Sequence, residues 1–276
     1  MKAARVFVNS FPKSGTNLVE KLVRQFGYSH SGRSIAFSSV CGRYTTIKRI
    51  TRACSLRNVQ IPIGLEVPAA VSAGWLKKYV RGVAHGSYFS GHAAWSGYLD
   101  DILQSEGIKV VQVIRDPRGI LASMASYVVE EQNAWYPFHR SFKSLPRREL
   151  LKFYIKGGYV PGAEMFYSGI REALSRAEGW LHSSNAIVVR FEDLVGAKGG
   201  GSDESQLEAI TQIANFIDAQ GVDIQQIQQS LFGGTHTFRG GQIDRWVSDF
   251  DQGLLNQISS ELSNEIWLAR LGYLFK

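Results

Sequence analysis

Short apolar runs alternate with stretches of helical periodicity along this chain. Apolar, β-branched and aromatic residues dominate residues 6–8, 109–114 and 186–191, which is typical of buried strands. Residues 86–92 predict a short strand that ends in a loop of small residues. Apolar side chains recur at helical spacing in other stretches, which predicts helices over 18–26, 71–83, 99–105, 117–129, 163–181, 206–219, 223–231 and 254–271. This alternation predicts an α/β fold with three layers around a central, mostly parallel sheet of about five strands.

Two segments have no clear periodicity. Residues 28–74 are rich in Ser, Gly and Arg and contain Pro62 and Pro68, so they predict loops and short helices. Residues 130–162 mix aromatic with basic side chains and predict a loop or lid. Both segments are expected to cover one face of the domain.

The composition is that of an ordinary globular protein. Apolar residues make up 44% and charged residues 20% of the 276 residues, so a single domain over residues 1–276 can bury a stable core. No apolar run reaches membrane-spanning length, and the few residues before the first strand leave no room for a signal peptide. Two cysteines, Cys41 and Cys54, indicate a reducing compartment, and no Cys/His cluster has metal-ligand spacing. We therefore expect a cytoplasmic protein.

The net charge of +7 suggests an anionic partner. The densest basic stretch, residues 43–57, lacks the interleaved aromatic side chains of a single-strand binder and matches no nucleic-acid module. A solvated basic face is the simpler interpretation, and a surface that attracts a polyanionic small molecule is the other. We therefore expect no nucleic-acid partner.

The loop at residues 11–17 joins the first predicted strand to the first predicted helix. Pro12 fixes the turn, Gly15 lets backbone approach a ligand closely, and Thr16 can cap the helix. N–H groups at a helix start favour an anion, and Lys13 adds a full positive charge. The loop does not match the GxxxxGK[ST] pattern of nucleotide-binding loops. A phosphate-like ligand and a structural turn with a solvated lysine are both compatible with this spacing.

Three strand ends carry side chains suited to chemistry, namely Lys13, His92 and Arg115. Ligands bind at the carboxyl ends of parallel strands, so these residues are expected to converge on one edge of the sheet. After Arg115, Asp116 suits an N-cap and Pro117 a first helical residue. The alternative is that Arg115 simply pairs with Asp116.

Four motifs resemble those of the sulfotransferases that use 3′-phosphoadenosine 5′-phosphosulfate (PAPS). Residues 12–16, Pro-Lys-Ser-Gly-Thr, are similar to the 5′-phosphosulfate loop of that family. Arg115 and Ser123 have the spacing of its 3′-phosphate site. Residues 238–241 resemble its late Phe-Arg-x-Gly motif, and residues 190–194 the strand end before its adenine-side helix. The motifs occur in the family's order and span almost the whole chain.

The resemblance implies a P-loop-like three-layer α/β/α fold, with PAPS as the sulfuryl donor and adenosine 3′,5′-bisphosphate (PAP) as the product. No metal ion is implied. The residues that it implies for donor binding are Lys13, Ser14, Gly15, Thr16, Asn17, Arg115, Ser123, Phe238, Arg239, Gly240 and Gly241.

The resemblance also implies the catalytic residues. His92 lies where cytosolic members carry their catalytic histidine, and an imidazole suits a general base near neutral pH. His85 is the nearby alternative, and Glu66 a further one, because some branches use a glutamate. Lys13 is implied to neutralise charge on the bridging oxygen of the leaving group. The predicted reaction is in-line transfer of a sulfuryl group to a hydroxyl or amine.

The sequence departs from the family in ways that leave the acceptor open. Leu18 stands where cytosolic members carry a tryptophan that stacks on adenine. The expected partner is a small-molecule acceptor, with a secondary metabolite as the first hypothesis, and a homodimer is one option for the assembly. Five aromatic residues could line the acceptor pocket or belong to the core: Tyr88, Phe89, Trp95, Trp135 and Tyr136.

Two other function classes compete with this interpretation. A P-loop-type small-molecule kinase would share the sheet and the anion loop, but it needs GxxxxGK[ST] and a magnesium-binding carboxylate. A non-catalytic binder of polyanions or nucleic acid rests on net charge alone.

Overall fold

A five-stranded parallel sheet forms the centre of the molecule. The computed structural model describes residues 3–36, 59–130, 139–160, 165–234 and 241–275. Its strands are β1 (Arg5–Ser10), β2 (Ser29–Ile35), β3 (Gln60–Pro62), β4 (Ala70–Ser72), β5 (Ser87–Gly91), β6 (Ile108–Ile114), β7 (Gly157–Val160), β8 (Met165–Ser168) and β9 (Ala186–Arg190). The sheet has the order β2-β5-β1-β6-β9, and each neighbouring pair is parallel. The predicted central sheet is thereby confirmed.

Helices connect and cover these strands. In the described residues they are α1 (Thr16–Gln25), α2 (Ala73–Arg81), α3 (Gly97–Ser105), α4 (Pro117–Glu130), α5 (His139–Phe142), α6 (Arg147–Lys156), α7 (Ile170–Glu178), α8 (Phe191–Leu194), α9 (Asp203–Phe216), α10 (Ile224–Leu231), α11 (Gln252–Leu262) and α12 (Ile266–Arg270). Short 3₁₀ turns lie at Gly179–His182, Ala197–Gly199 and Arg245–Ser248. No helix within these described ranges is long and apolar enough to cross a bilayer.

Both faces of the sheet are buried, which explains its nearly continuous apolar strands. On β1, Val6 and Val8 pack with Leu22 of α1 in one core cluster. Phe7, which points the opposite way, stacks on Phe89 of β5 with ring centroids 4.6 Å apart. Alternate residues of one strand therefore serve two helical layers, as the three-layer fold requires.

The structure corrects the interpretation of residues 28–74 as loops and short helices. β2 lies within this segment and forms the edge of the central sheet next to β5. Its sequence, Ser-His-Ser-Gly-Arg-Ser-Ile, has little apolar content, and most of its residues are not buried. An edge strand needs no apolar run, because few of its side chains enter the core. An antiparallel hairpin, β3 with β4, also lies in this segment.

Three further predictions were wrong in part. The helix predicted over 163–181 begins only with α7 at Ile170, because β8 occupies Met165–Ser168 and pairs with β7 in an antiparallel hairpin. The loop predicted over 130–162 contains α6, whose Leu150, Leu151 and Tyr154 are buried. The last predicted helix, 254–271, is divided into α11 and α12.

Candidate active site

The carboxyl ends of three adjacent strands form the candidate site. β1 lies between β5 and β6 in the sheet, with parallel pairing on both sides. The residues that follow these strands are therefore neighbours, and they include Lys13, His92 and Arg115. The convergence expected from the sequence is present in the structure.

The loop after β1 has the backbone geometry of an anion-binding turn. Lys13 and Gly15 both have positive φ, at 67° and 110°. Ser14 N–H donates to the carbonyl of Phe11 at 3.1 Å, and Leu18 N–H makes the first helical bond to Gly15. The N–H groups between them therefore lie at the positive end of the α1 dipole. A Cβ at Gly15 would lie 2.6 Å from the ring of Phe191, so glycine is required here for space as well as for conformation.

The predicted cap at Thr16 was wrong. Gly15 is the N-cap of α1 and Thr16 is its first helical residue. The Thr16 hydroxyl instead lies 2.5 Å from the hydroxyl of Ser10 at the end of β1. The side chain thus ties the start of α1 to the sheet, and it can no longer satisfy the N–H groups of the first turn.

The other members of the loop contribute mainly backbone. Ser14 is fully buried, and its side chain lines a small, mostly apolar cavity behind the loop together with Phe11 and Trp267. Asn17 is half-buried in the first turn of α1. Leu18 is buried among the apolar residues that α1 packs onto the sheet, so it does not replace the tryptophan that stacks on adenine in cytosolic members.

Arg115 connects the loop after β1 to the loop after β6. Its Nη1 donates to the carbonyl of Lys13 at 3.1 Å, and its Nη2 lies 3.4 Å from the carbonyl of Gln242. The guanidinium also stacks on Phe191 at 4.2 Å from the ring centre. A Cβ at Gly119 would lie 2.9 Å from its Nε, so that glycine leaves room for the guanidinium at the start of α4.

Arg115 is not the ion-pair partner of Asp116. That carboxylate caps α4 by accepting from the N–H of Arg118, and it also forms a 2.6 Å ion pair with the Arg118 side chain. Within the described residues, the Nε of Arg115 is buried without a hydrogen-bond partner. Burial lowers the pKa of Arg115, and the nearby carboxylates of Glu192 and Asp116 oppose that shift. A guanidinium stays protonated under these conditions and favours an anionic ligand.

The ammonium of Lys13 lies 4.0 Å from the centre of the Tyr127 ring. Tyr127 is on α4, one helical turn beyond Ser123 and on the same face. This cation–π contact directs Lys13 toward α4, the helix that begins just after Arg115. Tyr127 was not identified from the sequence, although its spacing from Ser123 is a signal that could have found it.

His92 follows β5 and is fixed by the end of β1. Its Nδ1 lies 3.0 Å from the carbonyl oxygen of Ser10 and 3.3 Å from the Ser10 hydroxyl. A carbonyl can only accept, so the proton of a neutral imidazole is on Nδ1 and the lone pair is on Nε2. Burial and the Lys13 ammonium lower the pKa of His92 to about 4, against its hydrogen bond to the Ser10 carbonyl, which raises it. A neutral His92 at pH 7 can accept a proton through Nε2.

The two alternatives to His92 lie in different environments. His85 precedes β5, at the opposite end of the strand, and is exposed with its Nδ1 3.1 Å from the carbonyl of Ala3. Glu66 is buried in the turn between β3 and β4, where it accepts from the hydroxyl of Tyr167 at 3.3 Å.

The late motif is described only at its end. Phe238, Arg239 and Gly240 lie outside the described residues. Gly241 has a φ of 59°, and the carbonyl of the next residue, Gln242, accepts from Arg115. The chain just after this motif therefore reaches the same arginine as the loop after β1. Ser123 is half-buried on α4.

The aromatic residues considered for an acceptor pocket separate into different environments. Tyr88 and Phe89 are fully buried in the cores on opposite faces of the sheet, so they belong to the packing. Trp95, 37% exposed, packs over Gly179. Trp135 and Tyr136 lie outside the described residues.

The fold is that of an α/β protein whose central parallel sheet carries Lys13, His92 and Arg115 at one edge. The sulfotransferase domain family matches residues 3–196, so the chain belongs to the sulfotransferase family. It is therefore an enzyme of the sulfuryl-transferring class.

Solved structures share its fold. Mouse sulfotransferase SULT7A1, crystallised with PAP, is similar over 98% of this chain and 89% of its own, with a TM-score of 0.58 and 13% identity. Retinol dehydratase in complex with retinol and PAP is similar over 96% of this chain and 82% of its own, with a TM-score of 0.55 and 16% identity. No curated protein sequence matches the chain.

Proposed function

We propose that this sulfotransferase takes its sulfuryl group from PAPS, releases PAP, and transfers the group to a hydroxyl or amine of a small acceptor. The observation that carries the proposal is the hydrogen bond from Arg115 to the carbonyl of Lys13. This contact ties the Arg115 guanidinium to the backbone of Lys13, so the residues that carry the two cations are joined on adjacent strand ends. A nucleotide with phosphate groups at both its 5′ and 3′ positions suits such a pair.

The residues present fit this donor. The loop after β1 offers backbone N–H groups and the Lys13 ammonium, and the buried guanidinium of Arg115 has an Nε without a hydrogen-bond partner in the described chain. Arginine binds phosphate oxygens with two parallel bonds, so we assign Arg115 to the 3′-phosphate, together with Ser123. Phe238, Arg239, Gly240 and Gly241 are proposed to complete that subsite.

When bound, PAPS supplies an activated sulfuryl group whose bond to a 5′-phosphate oxygen breaks as the acceptor attacks sulfur. His92 takes the acceptor proton on Nε2, because Nδ1 is committed to Ser10. Lys13 neutralises the charge that develops on the bridging oxygen, and the N–H groups of the loop assist it. The leaving phosphate oxygen would keep the electron pair of the broken bond. The positive charge of Lys13 would balance it, so no separate proton donor is needed.

For the acceptor, the proposal names a chemical class and not a compound. A small secondary metabolite in the cytoplasm is our first hypothesis, and both O- and N-sulfation are compatible with a neutral imidazole base. A library of phenols, alcohols, sugars and amines, assayed with PAPS carrying a labelled sulfuryl group, identifies the class.

Thermal-shift titration with PAP, AMP, ATP and single-stranded DNA tests the donor assignment. We expect PAP to raise the melting temperature at far lower concentration than AMP or ATP, because only PAP carries a 3′-phosphate. Stabilisation by ATP with magnesium and not by PAP would favour a kinase. Stabilisation by DNA alone would favour a polyanion binder.

A further inference from the structure

Two amide side chains are buried at the centre of the sheet, where the neighbouring positions are apolar. Asn9 on β1 is 0% exposed and Gln112 on β6 is 2% exposed. The two residues are register partners on adjacent strands, and the Nδ2 of Asn9 donates to the Oε1 of Gln112 at 2.7 Å. Burying an amide costs free energy unless its hydrogen bonds are made. The arrangement of those bonds therefore shows what the pair is positioned to hold.

The amide of Asn9 hydrogen-bonds to both backbone groups of one residue, Ala93. Its Nδ2 donates to the carbonyl of Ala93 at 3.0 Å, and its Oδ1 accepts from the N–H of Ala93 at 2.8 Å. These are the two bonds that a neighbouring strand would make. The orientation of the amide is fixed by the Ala93 N–H, which can only donate.

The hydrogen bonds between Asn9 and Ala93 begin where the backbone pairing of β1 with β5 ends. The pairing of β1 with β5 runs as far as Asn9 opposite Gly91. His92 comes next, and Ala93 is the residue that the Asn9 side chain then holds. His92 thus lies between a residue held by the ladder and one held by the Asn9 amide. Its own N–H donates to the carbonyl of Ile35 on β2 at 2.8 Å.

We propose that Asn9, supported by Gln112, is a positioning residue that fixes the direction of the His92 imidazole. The proposal rests on the assignment of His92 as the base. With both flanking residues held, the ring keeps its Nδ1 on the carbonyl of Ser10 and its Nε2 toward the acceptor. Loss of the two hydrogen bonds between Asn9 and Ala93 frees the peptide after His92, and the imidazole then turns away from its proton-accepting geometry.

Trp180 supplies a matched control. Its Nε1 donates to the same Ala93 carbonyl at 3.1 Å, and it is also fully buried. Trp180→Phe removes that bond and leaves both bonds of Asn9 in place. A purely structural role for the bonds at Ala93 predicts similar consequences for the two positions, whereas the positioning role assigns the effect on turnover to Asn9.

The test compares Asn9→Ala, Gln112→Leu and Trp180→Phe for turnover, acceptor KM and PAP affinity. Because small displacements of a catalytic group are costly, we expect Asn9→Ala to lower kcat by about tenfold to a hundredfold. PAP affinity should change by less than about twofold, since Lys13 and Arg115 are untouched. Gln112→Leu should lower kcat to a smaller degree, and Trp180→Phe should leave it near wild type.

Two further measurements separate the proposal from the base assignment. ¹⁵N NMR of the PAP complex should show one His92 tautomer in the wild type, protonated on Nδ1, and a tautomer mixture in Asn9→Ala. His92→Ala should lose turnover with PAP binding intact, whereas Asn9→Ala should keep a residual, measurable turnover, because it displaces the base and does not remove it. If Asn9→Ala is insoluble, Gln112→Leu carries the same tautomer readout.

Each outcome is decisive. Unchanged kcat and an unchanged tautomer in both amide variants, with His92→Ala inactive, would overturn the positioning role and leave the base assignment intact. Parallel losses of turnover and PAP affinity in Asn9→Ala and Trp180→Phe would show a structural role only. Wild-type turnover in His92→Ala would overturn the base assignment itself.

Discussion

At the scale of single residues, Lys13 has the most direct link to chemistry. Its ammonium is held against the Tyr127 ring, so its position depends on an aromatic face on α4. A lysine that acts on charge developing in the transition state affects kcat more than the affinity for the product. We expect Lys13→Ala to lower kcat by at least about tenfold, with a smaller loss of PAP affinity.

Tyr127 offers a graded companion to that measurement. Tyr127→Phe keeps the aromatic face and should retain most activity, whereas Tyr127→Leu removes it and should lower kcat. Steady-state kinetics and PAP calorimetry on Lys13→Ala, Tyr127→Phe and Tyr127→Leu measure the changes in kcat, KM and PAP affinity. An unchanged kcat with a raised KM in Lys13→Ala would mean that Lys13 only binds the donor in its ground state.

His92 gives a prediction in pH. The folded chain holds it neutral down to about pH 4, whereas the unfolded chain protonates it near pH 6.5. The unfolded state therefore binds more protons between these values, and stability falls as pH decreases through that window. We expect His92→Gln to flatten this part of the stability curve and to abolish turnover while PAP binding persists.

Chemical denaturation at a series of pH values, with NMR titration of the His92 Cε1 proton, measures both quantities. His85→Ala is the control, since that side chain is exposed at the other end of β5. Loss of turnover in His85→Ala rather than in His92→Gln would contradict the choice of base.

Arg115 should distinguish PAP from AMP. Charge-assisted hydrogen bonds contribute about 1.5–3 kcal/mol, so Arg115→Ala should weaken PAP by roughly 10- to 150-fold. AMP should weaken far less, since Arg115 touches its subsite only through the carbonyl of Lys13. Arg118→Ala is the matched control, because that guanidinium is paired with Asp116 on the same turn.

Calorimetry measures the affinities of Arg115→Ala and Arg118→Ala for PAP and for AMP. Equal losses for PAP and AMP in Arg115→Ala would mean that the arginine supports the loop and does not bind the 3′-phosphate.

At the scale of elements, the turn between β6 and α4 depends on a partner from α8, the short helix that directly follows β9. The half-buried Glu192 accepts from the N–H of Asp116 at 2.9 Å and from the hydroxyl of Tyr273 at 2.6 Å. Burial raises the pKa of Glu192, and these two hydrogen bonds oppose that shift. Glu192 therefore fixes the backbone beside Arg115 by linking it to the carboxyl-terminal segment.

This link predicts an order of affinities. Glu192→Gln keeps an acceptor for Asp116 and should bind PAP nearly as the wild type does. Glu192→Ala loses both bonds, but only the bond from the Asp116 N–H holds the turn beside Arg115. A hydrogen bond contributes about 0.5–1.5 kcal/mol net, so PAP should weaken by about two- to tenfold. Calorimetry on the two variants measures the difference. Equal affinities would show that the turn holds its shape without Glu192.

A comparison of β1, β6, β2 and β8 shows which strands the periodicity of a sequence can predict. Buried strands such as β1 and β6 were predicted because helices cover both their faces, which demands a continuous apolar run. β2 was missed because an edge strand makes no such demand. β8 was absorbed into a predicted helix because Met165–Ser168 is short, and only its pairing with β7 defines it as a strand.

At the scale of the molecule, the strand order explains why the two cationic side chains meet. From β1 the chain proceeds to β2 and β5 on one side, and later to β6 and β9 on the other. The loops after β1 and β6 therefore diverge in opposite directions and leave a crevice between them. Spacing in the sequence predicted that Lys13 and Arg115 share an edge. It could not predict that their strands are adjacent, nor the contacts of Tyr127 and Asn9, which arise only from packing.

The backbone of Lys13 has a consequence for stability as well as for catalysis. A side chain at a φ of 67° is held in a conformation that costs an L-residue roughly 1–2 kcal/mol and costs glycine almost nothing. Lys13→Gly should therefore be at least as stable as Lys13→Ala, although glycine usually lowers stability relative to alanine by roughly 0.5–1 kcal/mol. Thermal denaturation of the two variants tests this order. If it holds, the lysine lowers the stability of the fold relative to glycine at this position, and its proposed role in the reaction explains why the chain carries it.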